Sequence, residues 1–164
     1  MSAIAREAAV ARQTIYNHYP DVETIAAAAV EQHQRESTDG LTSVLATIDS
    51  PQGRLEHLVR HAAANAAHGH PTIKQGFSIE LQSVIDGYDQ ALRSHIESIL
   101  HDGVAHRAFR NDLDPARDAT VIHRMIEAAA ELVAADPKSA ADIVTTVTAT
   151  VLAAVVAHQS PSAN

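Results

Sequence analysis

The chain contains no cysteine and no tryptophan. The first absence excludes disulfides, thiolate-held zinc and cysteine nucleophiles together, so any metal site must be built from histidine and carboxylates. Aromatic residues of any kind are scarce, at 3% of 164 residues. Alanine runs recur instead, which favours closely packed helices over strands. The start, Met1 to Arg6, lacks a basic region followed by an apolar stretch. No uninterrupted apolar run approaches the roughly 18 residues of a membrane span, so a soluble cytoplasmic protein with no membrane partner is expected. Also missing are a nucleophile elbow, a phosphate-cradling glycine loop and an HExxH pattern. Serine, histidine and aspartate are plentiful, but they lie along predicted helices, and no enzyme is expected.

What is present is a globular balance, with 46% hydrophobic and 20% charged residues and a formal net charge of -8. That charge argues against a protein that coats nucleic acid with its whole surface, because phosphate binding needs a positive face. A small reading head remains compatible with it, since site-specific recognition needs only a few local contacts.

Apolar spacing and stop signals predict an all-α chain, with no convincing period-two pattern anywhere. Ser2 is a candidate cap for a helix through Ala9, with Ile4, Ala5 and Ala8 on one side. A second short helix runs from Arg12 to His18, with Ile15 and Tyr19 facing inward and Pro20 as its stop. Asp21 can cap a longer helix whose face carries Val22, Ile25, Ala26, Ala29 and Val30. That helix either continues past Gly40 through Leu41, Val44, Leu45 and Ile48, or bends there. Ser50-Pro51 opens a helix with Leu55, Leu58, Val59, Ala62 and Ala66, ending near Gly69-His70-Pro71. From Thr72 to Val104 a short helix and a longer one are expected, the latter striped Tyr88, Leu92, Ile96, Leu100, Val104. Phe109 to Pro115 reads as a polar connection. Two regular helices, Pro115 to Ala135 and Pro137 to His158, then form an antiparallel pair. The domain reading is a head and connecting helix over 1–38, a helical body over 39–158 and a frayed tail over 159–164.

The most informative stretch is IAREAAVARQTIYNHYPDVE, Ile4 to Glu23, in which a helix, a short turn at Ala9-Val10-Ala11 and a second helix follow one another. That is helix-turn-helix spacing. The second helix of such a motif lies in the major groove, so polar side chains near its start reach base edges while hydroxyls and amides hold phosphates. Arg12, Gln13 and Asn17 suit base edges; Thr14, Tyr16 and His18 suit the backbone. Val10 and Ile15 fit as packing residues between the two helices.

The run AREAAVARQTIYNHYPDVETI resembles the signature of the TetR (tetracycline-repressor) family, in which the turn is followed by Thr-aliphatic-Tyr-x-aromatic-aromatic-Pro. Here that run is Thr14-Ile15-Tyr16-Asn17-His18-Tyr19-Pro20. The segment Ile99 to Pro115 is also similar to the connection before the family's last two helices. The resemblance implies a short DNA-binding head on an all-α ligand-binding and dimerisation body, with Arg12, Gln13, Thr14, Tyr16, Asn17, His18 and Tyr19 at the DNA. Four departures stand out. The chain opens at what would be the second of the head's three helices, which leaves Ile4, Ala8, Ile15 and Tyr19 without their usual cover. The family's turn glycine is Ala9, its capping serine is Ala11, and the lysine after the proline is Val22.

The resemblance further implies a homodimer joined through its last two helices, a palindromic operator, and release by a small-molecule effector. Ile122, Met125, Ile126, Val147, Val151 and Val155 are the expected dimer contacts; packing of these helices inside one subunit is the alternative. An effector pocket is expected among Phe77, Gln82, Tyr88, Leu92, Ile96, His123 and Met125, although the same stripe also reads as plain core. No cofactor is implied. His57 and His61, at i, i+4 spacing, with His68 and His70 nearby, are weak candidates for a zinc or nickel site, against the plainer reading of solvated histidines. Three functions follow: a ligand-controlled DNA-binding regulator acting as a repressor, a dimeric small-molecule-binding module without DNA affinity, and a histidine-based metal sensor.

Overall fold

The computed structural model describes residues 1–67 and 79–156. Seven α-helices account for most of the described residues: α1 Ser2–Glu7, α2 Arg12–His18, α3 Val22–Leu45, α4 Pro51–Ala67, α5 Ile79–Ala105, α6 Pro115–Ala135 and α7 Ala140–Val155. A 3-10 turn, Pro137–Ser139, joins the last two. The short helix expected after Thr72 and the predicted stop at Gly69-His70-Pro71 lie outside the described residues.

Local chemistry sets three of the helix starts. The Asp21 carboxylate accepts from the Thr24 N–H at 2.8 Å, and Asp114 accepts from the Arg117 N–H at 3.1 Å with Pro115 behind it. Ser50 Oγ accepts from the Gly53 N–H at 3.0 Å in front of Pro51. Each satisfies an N–H that the first helical turn leaves without a partner. Ser2 does not act in this way: it is the first helical residue of α1, which ends at Glu7.

The long α3 runs straight through Gly40. Pairs one turn apart brace it, with Arg35 on Glu31 and Gln32 on Glu36, both at 2.6 Å. Its inward stripe differs from the purely apolar face expected. Ala27, Gln34, Leu41 and Leu45 are buried, whereas Val22 and Val44 are exposed. Polar Gln34 therefore lies on the buried side, where the helix faces a cavity described below.

The core forms around α4, whose Leu55, Leu58, Val59 and Ala63 are fully buried. Against it pack Leu41 and Leu45 of α3, Leu92, Ile96, Ile99 and Leu100 of α5, Ile122, Ile126 and Ala129 of α6, and Val147, Val151 and Val155 of α7. The stretch Pro137–Val155 is long and apolar enough by length and composition to cross a membrane. Here it is an element of the bundle, with three valines in the core.

The connection after α5 is not merely polar, because Phe109 and Leu113 are both buried. α5 ends in a left-handed residue, Arg107 at φ 58°, closed by the Ala108 N–H on the Gly103 carbonyl at 2.9 Å. This folds the Phe109 ring onto Gly103 so tightly that a Cβ there would lie 2.0 Å from the ring. Arg110 then donates from its N–H to the Val155 carbonyl and from Nε to the Ala154 carbonyl, which satisfies the end of α7.

Two glycine-to-alanine changes should consequently act in opposite directions. Gly40 has nothing within 4 Å of a new Cβ, so Gly40→Ala should stabilise by about 0.5–1 kcal/mol through helix propensity. Gly103→Ala should destabilise by about 1–3 kcal/mol through overpacking against Phe109. Urea midpoints of the two variants against the parent give the comparison.

Candidate functional site

The head is built from the first two helices. Ala5 of α1 and Ile15 of α2 are buried, and Ile4 and Tyr19 are half-buried. Ala8 is exposed and Val10 is 42% exposed, so Val10 does not pack between the helices as expected. The reason lies in the turn. The Val10 N–H reaches back to the Ala5 carbonyl at 3.0 Å and the Ala9 N–H to the Arg6 carbonyl at 3.2 Å, with Ala9 at φ 54°. This closure swings the Val10 side chain outward. It is the helix ending that usually carries glycine, and an alanine there costs about 1–2 kcal/mol. At the start of α2, Ala11 contributes no side-chain cap.

Of α2 only Ile15 is buried, and the rest of the helix surface is open. Arg12, Gln13, Thr14, Tyr16, Asn17 and His18 are all exposed. Gln13 Nε2 donates to Asn17 Oδ1 at 3.0 Å, one turn on. The pairing fixes both amides on one side of the helix and leaves a carbonyl oxygen on Gln13 and an NH2 on Asn17 directed to other partners. Such a donor and acceptor set matches the N6 and N7 edge of adenine.

α3 carries the head at one end and walls a cavity further along. The cavity, of about 410 Å³, lies between α3 and α5; Glu31, Gln34, Arg35, Thr38 and Asp39 line one side, and Ser83, Val84, Gly87, Tyr88 and Ala91 the other. Gln34 is 5% exposed, and its Nε2 has no hydrogen-bond partner within the chain. Behind this wall, Asn65 Nδ2 donates to Ser37 Oγ at 3.0 Å and to His61 Nε2 at 2.8 Å, tying α4 to α3. Burial pushes the Tyr88 phenol above its ordinary value, a hydrogen bond with Ser37 opposes that rise, and the nearby Asp89 charge adds to it.

Of the residues expected to form a pocket, only Tyr88 lines this cavity. Leu92 and Ile96 are core, Met125 packs partly buried against that core, and Gln82 donates to Asp86 at 2.9 Å on its own helix. His123 is buried between α5 and α6, 3.5 Å from Asp89. Phe77 lies outside the described residues. Gln34, Arg35 and Ser83, which line the cavity, were not anticipated. Polar residues on the inward stripe of α3 were the available signal.

Most of the residues expected at a dimer contact have the alternative placement, inside one subunit. Ile122, Ile126, Val147, Val151 and Val155 are buried within the single chain, because the most apolar stripe of each helix goes to its own core. The faces turned outward are different. α6 exposes Val121, Ala128, Leu132 and Ala135, and α7 exposes Thr145, Thr146, Ala149, Thr150 and Ala153.

His57 and His61 stack with ring centroids 6.2 Å apart. Among the described residues no third histidine or carboxylate joins them in a metal-binding group; His68 and His70 lie outside those residues.

No family sequence model matches the chain, and no curated protein matches it by sequence. Solved structures do match its architecture. NemR of E. coli, in its reduced form, superposes with a TM-score of 0.77 at 14% identity, covering 98% of this chain and 88% of that one. The regulator FadR of Bacillus subtilis, solved with stearoyl-CoA, gives 0.76 at 16% identity over 92% and 86%. A Shewanella protein assigned to the TetR-family transcription regulators gives 0.63 at 20% identity over 96% and 87%. The chain has the TetR-regulator fold. In TetR-fold terms, α1 and α2 are the helix-turn-helix and α3 is the helix that connects it to the body.

The His61 environment sets a pH dependence. Burial first, and repulsion from His57 second, hold the His61 imidazole below its ordinary value of about 6.5. Its neutral form is thus favoured in the fold. The contribution is fully present above about pH 6.5 and is lost as pH falls toward the lowered value. Thermal midpoints of the parent should fall between pH 7.5 and pH 5.5. His61→Gln, which keeps an acceptor for Asn65 but cannot be protonated, should show a smaller fall.

Proposed function

We propose that this protein is a homodimeric, ligand-responsive DNA-binding regulator that represses from a palindromic operator in the cytoplasm and is released by a small molecule. The observation that carries the reading is the joint placement on α3. The helix-turn-helix sits at its first turn, and a cavity of the size that small molecules occupy opens against its middle. In this reading α2 enters the major groove. Gln13 and Asn17 read an adenine edge, Arg12 a guanine, and Thr14, Tyr16, His18 and Tyr19 hold phosphates on either side.

The mechanism follows from shared contacts. An effector in the cavity hydrogen-bonds Gln34 Nε2 and meets the Glu31 and Arg35 pair on α3, with Tyr88 and Ser83 opposite on α5. Filling the gap changes how α3 lies on α5, and with it the spacing of the two heads in the dimer. FadR of Bacillus subtilis, of the same fold, was solved holding stearoyl-CoA. The cavity here presents mostly apolar surface with a few polar groups, among them Gln34, Glu31 and Arg35, which favours an effector with an apolar body and a polar end.

The principal test is selection of binding sites from random duplex DNA, followed by titration of the best site at several salt concentrations. Parent protein should bind selectively, with affinity falling steeply with salt. Gln13→Ala combined with Asn17→Ala should weaken binding about tenfold to several hundredfold. A second reading, a dimeric small-molecule-binding module with no DNA affinity, is favoured by Val22. That side chain is 48% exposed where the family resemblance implies a phosphate-contacting lysine. Absence of any selected site would move the conclusion to this second reading.

The dimer is assigned to the outward faces of α6 and α7. Val121 and Leu132 are 53% and 59% exposed, on a face without a charge between them at Ala128. Leu132→Asp should convert a dimer to a monomer in sedimentation velocity at micromolar concentration while leaving helicity intact. Unchanged sedimentation would place the interface elsewhere.

A further inference from the structure

Between α5 and α6, outside the cavity lining, His123 is 2% exposed. Asp89 Oδ1 of α5 lies 3.5 Å from its Nε2, and Glu127 Oε2, one turn along α6, lies 3.7 Å from its Nδ1. Both separations exceed the hydrogen-bond range of about 2.7–3.2 Å, and His123 Nδ1 has no hydrogen-bond partner. A buried imidazole nitrogen facing a carboxylate at that spacing is unusual, because native folds pair such atoms. An ion can take only one nitrogen of a ring, so the two separations are alternatives: Nε2 with Asp89 at 3.5 Å or Nδ1 with Glu127 at 3.7 Å gives a pair of ligands, and the other carboxylate is the more distant donor. Donors each about 2.0–2.2 Å from a tetrahedral metal stand roughly 3.3–3.6 Å apart.

One donor atom from each of Asp89, His123 and Glu127 lies within 4.8 Å of the others. We propose that these three residues form a binding site for a divalent transition-metal ion of the zinc, cobalt and nickel class, joining α5 to α6. The donor set selects the class: imidazole with two carboxylates suits these ions, whereas calcium and magnesium prefer oxygen alone. His123 and Glu127 face the same way by their i, i+4 spacing, and Asp89 closes the site from the neighbouring helix. Arg124 Nη1 holds Glu127 Oε2 at 2.5 Å. The Arg124 side chain is 64% exposed, so it can turn out to solvent when an ion takes its place. With three protein donors, at least one coordination position is left to water or to another ligand.

The experiment is titration of chelator-stripped protein with Co2+, read by visible absorption, and with Zn2+, read by calorimetry. Parent protein should bind one equivalent saturably and show the intense visible bands of low-coordinate cobalt. Glu127→Gln and Asp89→Asn should each weaken binding at least tenfold, with folding checked by circular dichroism. Arg124→Gln, which removes the competing cation, should strengthen it several-fold. His57→Ala with His61→Ala should leave it unchanged. The proposal is overturned if the parent binds neither ion saturably, if Glu127→Gln and Asp89→Asn bind as the parent does, or if the His57 and His61 changes abolish binding.

Discussion

The body depends on the complete burial of one face after another of α4. Leu55, Leu58, Val59 and Ala63 have no exposed surface, and α3, α5, α6 and α7 all pack against this helix. Removing the bulk of one such leucine costs a protein about 2–5 kcal/mol. The mix of sizes is as important as their apolarity. Ala62 and Ala63 let a neighbouring helix approach closely, while the leucines and Val59 fill the wider gaps. Once α4 is surrounded, the positions of α5 and α6 are fixed, and so is the opening left between α3 and α5.

Much of this was legible from residue types. Asp21, Ser50-Pro51 and Pro115 marked helix starts because capping and first-turn proline are local chemistry, and Pro20 marked the end of α2. The turn between α1 and α2 was legible in spacing but not in conformation. Nothing in an alanine announces φ 54°; the hydrogen bonds of Val10 and Ala9 to the preceding turn impose it. Phe109 looked like part of a polar connection because its neighbours are polar, yet it is the ring that fills the space beside Gly103.

The functional faces were harder to read, for a consistent physical reason. Periodicity finds the most apolar stripe of a helix, and that stripe goes to the helix's own core. Ile122, Ile126 and the valines of α7, for which dimer contact and packing inside one subunit were both open, are buried inside this one. On α3 the reverse happened: Gln34 and Ser37 look like surface residues, and they face inward because a cavity and a hydrogen-bonded cluster are there to receive them. Asp89 beside His123 could not be read at all, since the two meet only through the packing of α5 on α6.

The continuity of α3 through Gly40 has a mechanical consequence. The helix is anchored in the core at Leu41 and Leu45, and the head is attached near Val22. Ser37 is also tied to α4 by Asn65, so at 1.5 Å per residue the free arm is about 22 Å. A tilt of about 5° at the anchored end then carries the far end through roughly 2 Å. Small adjustments in the body are thus magnified into displacements large enough to change which atoms α2 can reach.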